Sequence, residues 1–187
     1  MSVMTIIERL QEHVPELNPV HIWNEELERE IAALPENKEP FAALKSGLHL
    51  WNGSLDASHS LSQELETPLG SYWHGIMHRM EGDYGNANYW FARAGKHSFH
   101  LELQKAAAAH LTAYVNEGRR NEPIGLLGKL EALQHAPVWT PATFTAAVEL
   151  CVHSPGSAAR SVLEQIQYEE IKLLVMYCKE LSGYGGK

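Results

Sequence analysis

Cysteine is scarce in this chain. Cys151 and Cys178 are its only two cysteines, they lie far apart, and neither belongs to a CxxC pair. A disulfide framework or a thiolate zinc site would need more cysteines at closer spacings. We therefore expect a protein of a reducing compartment, the cytoplasm.

Long hydrophobic runs are also missing. No run approaches the ~20 apolar residues that a membrane-spanning helix needs. The first residues, Met1 to His13, alternate apolar and charged residues at helical spacing, unlike a secretory signal peptide. We expect a soluble protein with no membrane partner.

Positive charge is in deficit. The chain has 15 Lys and Arg against 23 Asp and Glu, a formal net charge of -8. Nucleic acids and anionic membrane surfaces reward clustered Lys and Arg. The sequence therefore predicts neither partner.

The common signatures of covalent and nucleotide chemistry do not occur. No Gly-x-Ser-x-Gly elbow is present, and no Gly-rich loop matches a phosphate-binding or dinucleotide-binding pattern. Covalent catalysis and nucleotide binding are not expected.

Strand patterns are missing too, whereas helical spacing recurs throughout. No stretch alternates with period two for long enough to indicate a strand, and apolar residues recur at i, i+3, i+4 and i+7. A chain of 187 residues is long enough for one sizeable core. We predict an all-α fold: one domain over 1–187, a bundle or array of about eight or nine helices.

The densest run of residues with functional side chains lies near the middle of the chain. His74, His78 and Glu81 stand at i, i+4 and i+7, so they share one helix face. Gly82 can end that helix in a left-handed conformation, and Asp83 can cap the next one. The sequence predicts a tight helical hairpin from Tyr72 to Ala94.

The second helix of the hairpin has an apolar stripe. Ala87, Phe91 and Ala94 lie on one side, which should face the first helix. Trp90 and Phe91 are adjacent, so we expect at most one of them on the inner face.

A second polar stripe lies just before the hairpin. Ser54 can cap a short helix to Leu65 on which Asp56, His59 and Gln63 lie at i, i+3 and i+7. We expect the hairpin to pack against this helix, bringing two histidine-bearing faces together.

One hypothesis for these faces is a divalent metal site. Histidines one turn apart can both ligate one ion, and helical bundles build such centres from facing helices. The predicted ligands are His59, His74, His78, Glu81 and Asp56.

A second hypothesis is a metal-free pocket for a small molecule, in a hydrolase or isomerase type of enzyme. Its acid–base residues would be His74, His78 and Glu81, with Arg79 holding a carboxylate or phosphate. The residues predicted to line it are Trp51, Asn52, Gln63, Tyr72 and Trp73.

A third hypothesis gives the polar residues a structural role only. The two hairpin histidines would then pack on Trp51, Tyr72 or Trp73 and bond to backbone carbonyls. The protein would be a helical-repeat-like interaction module without catalytic activity. The sequence also leaves open whether the chain forms a homodimer.

His97 and His100 lie near the site if the next helix folds back, whereas His49 and the remaining histidines are isolated.

Part of the hairpin resembles one tetratricopeptide-type repeat. Gly75, Gly82-Asp83-Tyr84, Ala87, Phe91 and Ala94 stand at that repeat's spacings. His74 and His78 replace the usual leucine and aromatic, and no second copy follows. The resemblance implies a helical hairpin and not a regular array.

A longer stretch resembles a family of uncharacterised helical proteins from bacteria. The residues that carry this resemblance are Tyr72-Trp73-His74-Gly75-Ile76-Met77-His78-Arg79, Glu81-Gly82-Asp83-Tyr84, Asn86-Ala87, Tyr89-Trp90-Phe91, Arg93, Gly95-Lys96-His97, and upstream Trp51-Asn52 and Ser58-His59-Ser60. The resemblance implies a shared fold and a shared site, and it names no substrate.

Overall fold

The structure, a computed structural model, describes residues 2–35, 39–116 and 122–183. Within these ranges the chain forms ten α-helices and no strand, so the all-α prediction is confirmed. The helices are α1 (Val3–Leu10), α2 (Glu25–Ala32), α3 (Phe41–Trp51), α4 (Leu55–Ser62), α5 (Pro68–Glu81), α6 (Tyr84–Ala94), α7 (His100–Asn116), α8 (Ile124–Gln134), α9 (Pro141–Val152) and α10 (Ala159–Leu181). The described residues thus form one helix more than the upper end of the predicted eight or nine.

Side-chain caps fix several helix starts. Asn24 accepts from the backbone N–H of Leu27, and Thr67 accepts from that of Gly70, just before Pro68 opens α5. Ser54 precedes α4 as predicted, but its side chain makes no capping hydrogen bond.

Helix α5 lies at the centre of the fold. Most of its residues from Gly70 onward are buried, and it packs against α3, α4 and α6. The indole of Trp73 lies so close to Gly47 of α3 that a Cβ there would stand 2.4 Å from a ring carbon. Helix α10 packs on α3, α7 and α9.

The predicted helical hairpin is confirmed as α5 and α6. Gly82 ends α5 at φ 92°, in the left-handed region that glycine favours, and Asp83 accepts from the backbone N–H of Asn86. Gly75 allows the close approach, because a Cβ there would lie 2.8 Å from the Phe91 ring.

The inner face of α6 is wider than predicted. Ala87, Phe91 and Ala94 are buried as expected. Trp90 also contacts α5, through a stacked contact with His74. The prediction that at most one of Trp90 and Phe91 would face α5 was wrong, because Trp90 stacks on His74 while Phe91 packs against Gly75.

The hairpin packs against α4, the helix that bears His59, as predicted. Among the described residues, no helix combines the length and the apolar character that a membrane crossing requires.

Candidate metal centre

Helices α4 and α5 bring three imidazole rings together. His59, His74 and His78 each offer one nitrogen, and these three atoms lie within 4.8 Å of one another. The ring centroids of His59 lie 4.8 Å from His74 and 5.5 Å from His78, and those of His74 and His78 lie 4.8 Å apart. We call these residues the histidine cluster.

His74 is the innermost ring of the histidine cluster. It is 3% exposed, and neither of its ring nitrogens has a hydrogen-bond partner among the described residues. Its ring stacks on that of Trp90, with the ring centroids 4.0 Å apart and the ring planes at 15°. It also stacks on the ring of His78, with the planes at 14°. Such a buried, unpartnered polar group costs free energy unless something binds it.

Burial, together with the nearby charges of His78 and His59, lowers the pKa of His74 to about 4. The ring is therefore neutral at physiological pH. A neutral imidazole is the form that ligates a metal ion, so this residue releases no proton on binding.

His78 is oriented by its neighbour on the helix. Its Nδ1 lies 3.2 Å from Oε2 of Glu81, one turn further along α5. An ionised carboxylate only accepts, so Nδ1 carries the proton and Nε2 keeps the lone pair. Carboxylates commonly support metal-ligating histidines in this way.

Two predicted ligands do not join the histidine cluster. Asp56 and Glu81 are both exposed, and neither belongs to the group of converging atoms among the described residues. The short side chain of Asp56 projects from the first turn of α4, whereas Glu81 bonds to His78. Glu81 thus orients one ring of the histidine cluster.

The spacing of the nitrogens suits one ion after a small adjustment. In a tetrahedral zinc site with Zn–N bonds of about 2.0–2.1 Å, the nitrogens stand about 3.4 Å apart. The cluster, with nitrogens at up to 4.8 Å, would close by up to about 1.4 Å, within reach of side-chain rotation.

Arg79 does not take part. Its side chain is fully buried on another side of α5, where Nη2 lies 2.5 Å from Oε2 of Glu170 and 3.3 Å from Gln167. The guanidinium also lies over the rings of Phe91 and Phe144. The predicted anion-holding role does not fit this position, because the guanidinium is committed to α10 and closed off from solvent.

The predicted pocket residues are spread over different parts of the fold. Trp51 donates to the carbonyl of His13, Tyr72 donates to Glu170, and Trp73 packs on Gly47. Asn52 bonds to Asn24 and Glu28, and Gln63 is exposed at the end of α4. Four of the five are fully buried and used in packing, so they do not line a pocket at the histidine cluster.

His97 and His100 form a separate pair. Their rings lie 5.3 Å and 5.6 Å from Tyr72, at the start of α7, and burial lowers the pKa of His100 to about 4. The condition for their joining the site is not met, because both rings lie against Tyr72 and not against the histidine cluster.

Trp90 is the residue of the site that sequence reasoning missed. Its position next to the core residue Phe91 gave one signal, since adjacent bulky aromatics on a helix must face different neighbours.

The comparisons with known proteins found no matching family model and no significant match among curated proteins or solved structures.

Proposed function

We propose that this protein binds a divalent transition-metal ion of the zinc type through His59, His74 and His78. The observation that carries the proposal is His74, a buried imidazole with two unpartnered nitrogens at the centre of three converging rings. Three neutral imidazoles suit zinc, copper and nickel, and they do not suit magnesium or calcium. The free, buried cysteines fit a reducing compartment such as the cytoplasm.

Three protein ligands leave one position of a tetrahedral ion open. That arrangement is typical of catalytic zinc, which lowers the pKa of its bound water to about 7. Metal-dependent hydrolysis is therefore the enzyme class that the site favours. In this proposal His59, His74 and His78 hold the ion, and Glu81 keeps Nδ1 of His78 protonated.

A protein that served only as an interaction module would be expected to have scattered histidines. The convergence of His59, His74 and His78 supports a metal-binding site instead. The cleft beside α4, with a volume of about 530 Å³, is lined by Ala57, Ser60 and Leu61, on the side of α4 away from the histidine cluster. A metal ion is therefore favoured over a large organic ligand between the three rings.

The test is metal content and zinc affinity of the purified protein. We expect close to one zinc per chain after dialysis against zinc, and saturable binding by calorimetry. His59→Ala should weaken binding by more than about 100-fold, beyond the 10–100-fold typical for loss of a supporting residue such as Glu81. The control is His135→Ala, an exposed histidine just after the end of α8, which should bind as the wild type does.

Two results would overturn the proposal. One is the absence of saturable zinc, copper or nickel binding by folded wild-type protein. The other is equal affinity in wild type and His59→Ala, since that would place the ion elsewhere. Circular dichroism on each variant separates lost binding from lost folding.

A further inference from the structure

A second group of titratable side chains lies on the other side of α4. Nδ1 of His49, on α3, lies 2.7 Å from Oε1 of Glu28, on α2. Both side chains are largely buried, at 4% and 14% exposure. The mechanism proposed for the histidine cluster uses neither of them.

The Glu28 carboxylate is held firmly in place. Its Oε2 accepts a hydrogen bond of 3.0 Å from Nδ2 of Asn52, and the same Asn52 nitrogen donates to the carbonyl of Asn24. Burial raises the pKa of Glu28, but hydrogen bonds from His49, Asn52 and Ser54 outweigh it and leave that pKa below its usual value. The carboxylate is thus ionised at neutral pH.

An ionised carboxylate fixes the proton on the ring. Glu28 can only accept, so Nδ1 of His49 donates and Nε2 is the nitrogen left to meet a ligand. A histidine oriented by a buried carboxylate is the arrangement of a general base in many active sites.

This pair borders a cleft of about 530 Å³ between α2, α3 and α4, here called the His49 cleft. Its volume falls within the range of small-molecule sites. Apolar and polar residues share its wall, and the polar ones include Ser60 and the carboxylate of Glu64 as well as the pair and Lys45. The lining residues used below are Glu28, Lys45, His49 and Ala57.

We infer that the His49 cleft binds a small organic molecule with an apolar body and a weakly acidic hydroxyl group, whose proton Nε2 of His49 accepts. The ligand's O–H bond breaks, an N–H bond forms at Nε2, and the electron pair stays on the ligand oxygen. The resulting imidazolium lies against the Glu28 carboxylate, which favours proton transfer to the ring. The ammonium of Lys45, which donates to the backbone carbonyls of Ala32 and Leu34, adds positive charge to the same wall. His49 is the base, and Glu28 and Asn52 are positioning residues.

The probe for this site is para-nitrophenol, which has an apolar ring, a weakly acidic hydroxyl and a visible colour only when ionised. At a pH where the free probe is mostly protonated, wild-type protein should produce a saturable rise in phenolate absorbance. His49→Gln should abolish that rise. Glu28→Gln should reduce the phenolate signal at least about tenfold and change binding, followed by equilibrium dialysis, less than about threefold.

A blocking variant tests the place of binding. Ala57 faces the cleft from α4, so Ala57→Trp should fill it and remove both binding and colour. The matched control is Ala132→Trp on the exposed face of α8, which should behave as the wild type. Absence of a saturable signal in wild type would overturn the inference, and so would an unchanged signal in folded Ala57→Trp.

A measurement without any probe tests the acid–base pair itself. Nitrogen NMR of the His49 side chain should show the neutral ring protonated at Nδ1 and not at Nε2. The opposite tautomer would overturn the inference. Both measurements are independent of zinc, since His59→Ala leaves every residue of the cleft in place.

Discussion

Arg79 carries a fully buried charge in the core of the fold. Its guanidinium is fully buried between α5, α9 and α10, and it is balanced by the equally buried carboxylate of Glu170. Tyr72 donates to the other oxygen of that carboxylate and accepts from Trp139. A buried pair of this kind adds little against an apolar alternative, but losing one partner is costly because it leaves a buried charge uncompensated.

The first prediction concerns that carboxylate. Glu170→Gln should lower the free energy of unfolding by about 3–5 kcal/mol, because Arg79 keeps its charge and loses its counter-charge. Urea denaturation measures the change.

The chain offers a matched control one residue away. Glu169 pairs with Lys172 at 3.3 Å near the surface. Glu169→Gln should cost less than about 1 kcal/mol. Equal small losses in both variants would show that the Arg79 charge is compensated by some other group.

Single residues also show where sequence reasoning ends. Glu170 lies 91 positions after Arg79, and Glu28 lies 21 positions before His49. Neither pair has a local spacing that predicts it, because each depends on how distant helices pack. Arg79 was therefore interpreted as a ligand-binding residue, and His49 as an isolated histidine.

At the scale of elements, the α5–α6 hairpin was predictable because its signals are local. Gly82 and Asp83 mark the break, and the spacing of His74 and His78 fixes their common face. The short α4 directly precedes α5, so its histidine could be expected to meet them. Asp56 and Glu81 lie outside the group of converging nitrogen atoms, because a shared helix face does not fix how far each side chain reaches.

The second prediction concerns the contact between the two helices. Gly75→Ala should destabilise the protein by about 1–3 kcal/mol, because the new Cβ meets the Phe91 ring at 2.8 Å in a packed core. Thermal or urea unfolding measures it.

Its control is another helical glycine. Gly128 of α8 has no heavy atom within 4 Å of an added Cβ. Gly128→Ala should raise stability by roughly 0.5–1 kcal/mol, through helix propensity alone. If both substitutions raise stability, the α5–α6 contact is looser than the structure shows.

At the scale of the whole molecule, the stability of the fold depends on pH through two buried histidines, one of them in the histidine cluster. His74 and His100 are buried in different places, and the pKa of each falls from 6.5 to about 4. Burial is the main cause in both, with like charges adding to it. The native protein therefore keeps both rings neutral at pH values where the unfolded chain protonates them.

The sign of the pH effect follows from proton linkage. Between pH 6.5 and about 4 the unfolded state binds more protons, so stability falls as the pH falls through this window. Each ring contributes on the order of 3 kcal/mol across it. Zinc bound to His74 would add to the loss, because acid releases the ion and its stabilisation of about 2.7 kcal/mol at 100 times Kd.

The third prediction isolates one of the two rings. His100→Phe keeps an aromatic ring beside Tyr72 and Phe99 but cannot take up a proton. Between pH 6.5 and about 4, its free energy of unfolding should fall less than that of the wild type, by up to about 3 kcal/mol. Urea denaturation at several pH values, in zinc-free buffer, measures both proteins.

The comparison of wild type with His100→Phe includes an internal control. Glu28 and Glu122 also have lowered pKa values, and their contribution is lost in acid equally in both proteins. Above pH 7 the ring of His100 is neutral in both states, so the difference between the two proteins should be constant there. Parallel curves down to pH 4 would mean that the native protein admits a proton at His100, and that the helices around Tyr72 open more easily than their packing indicates.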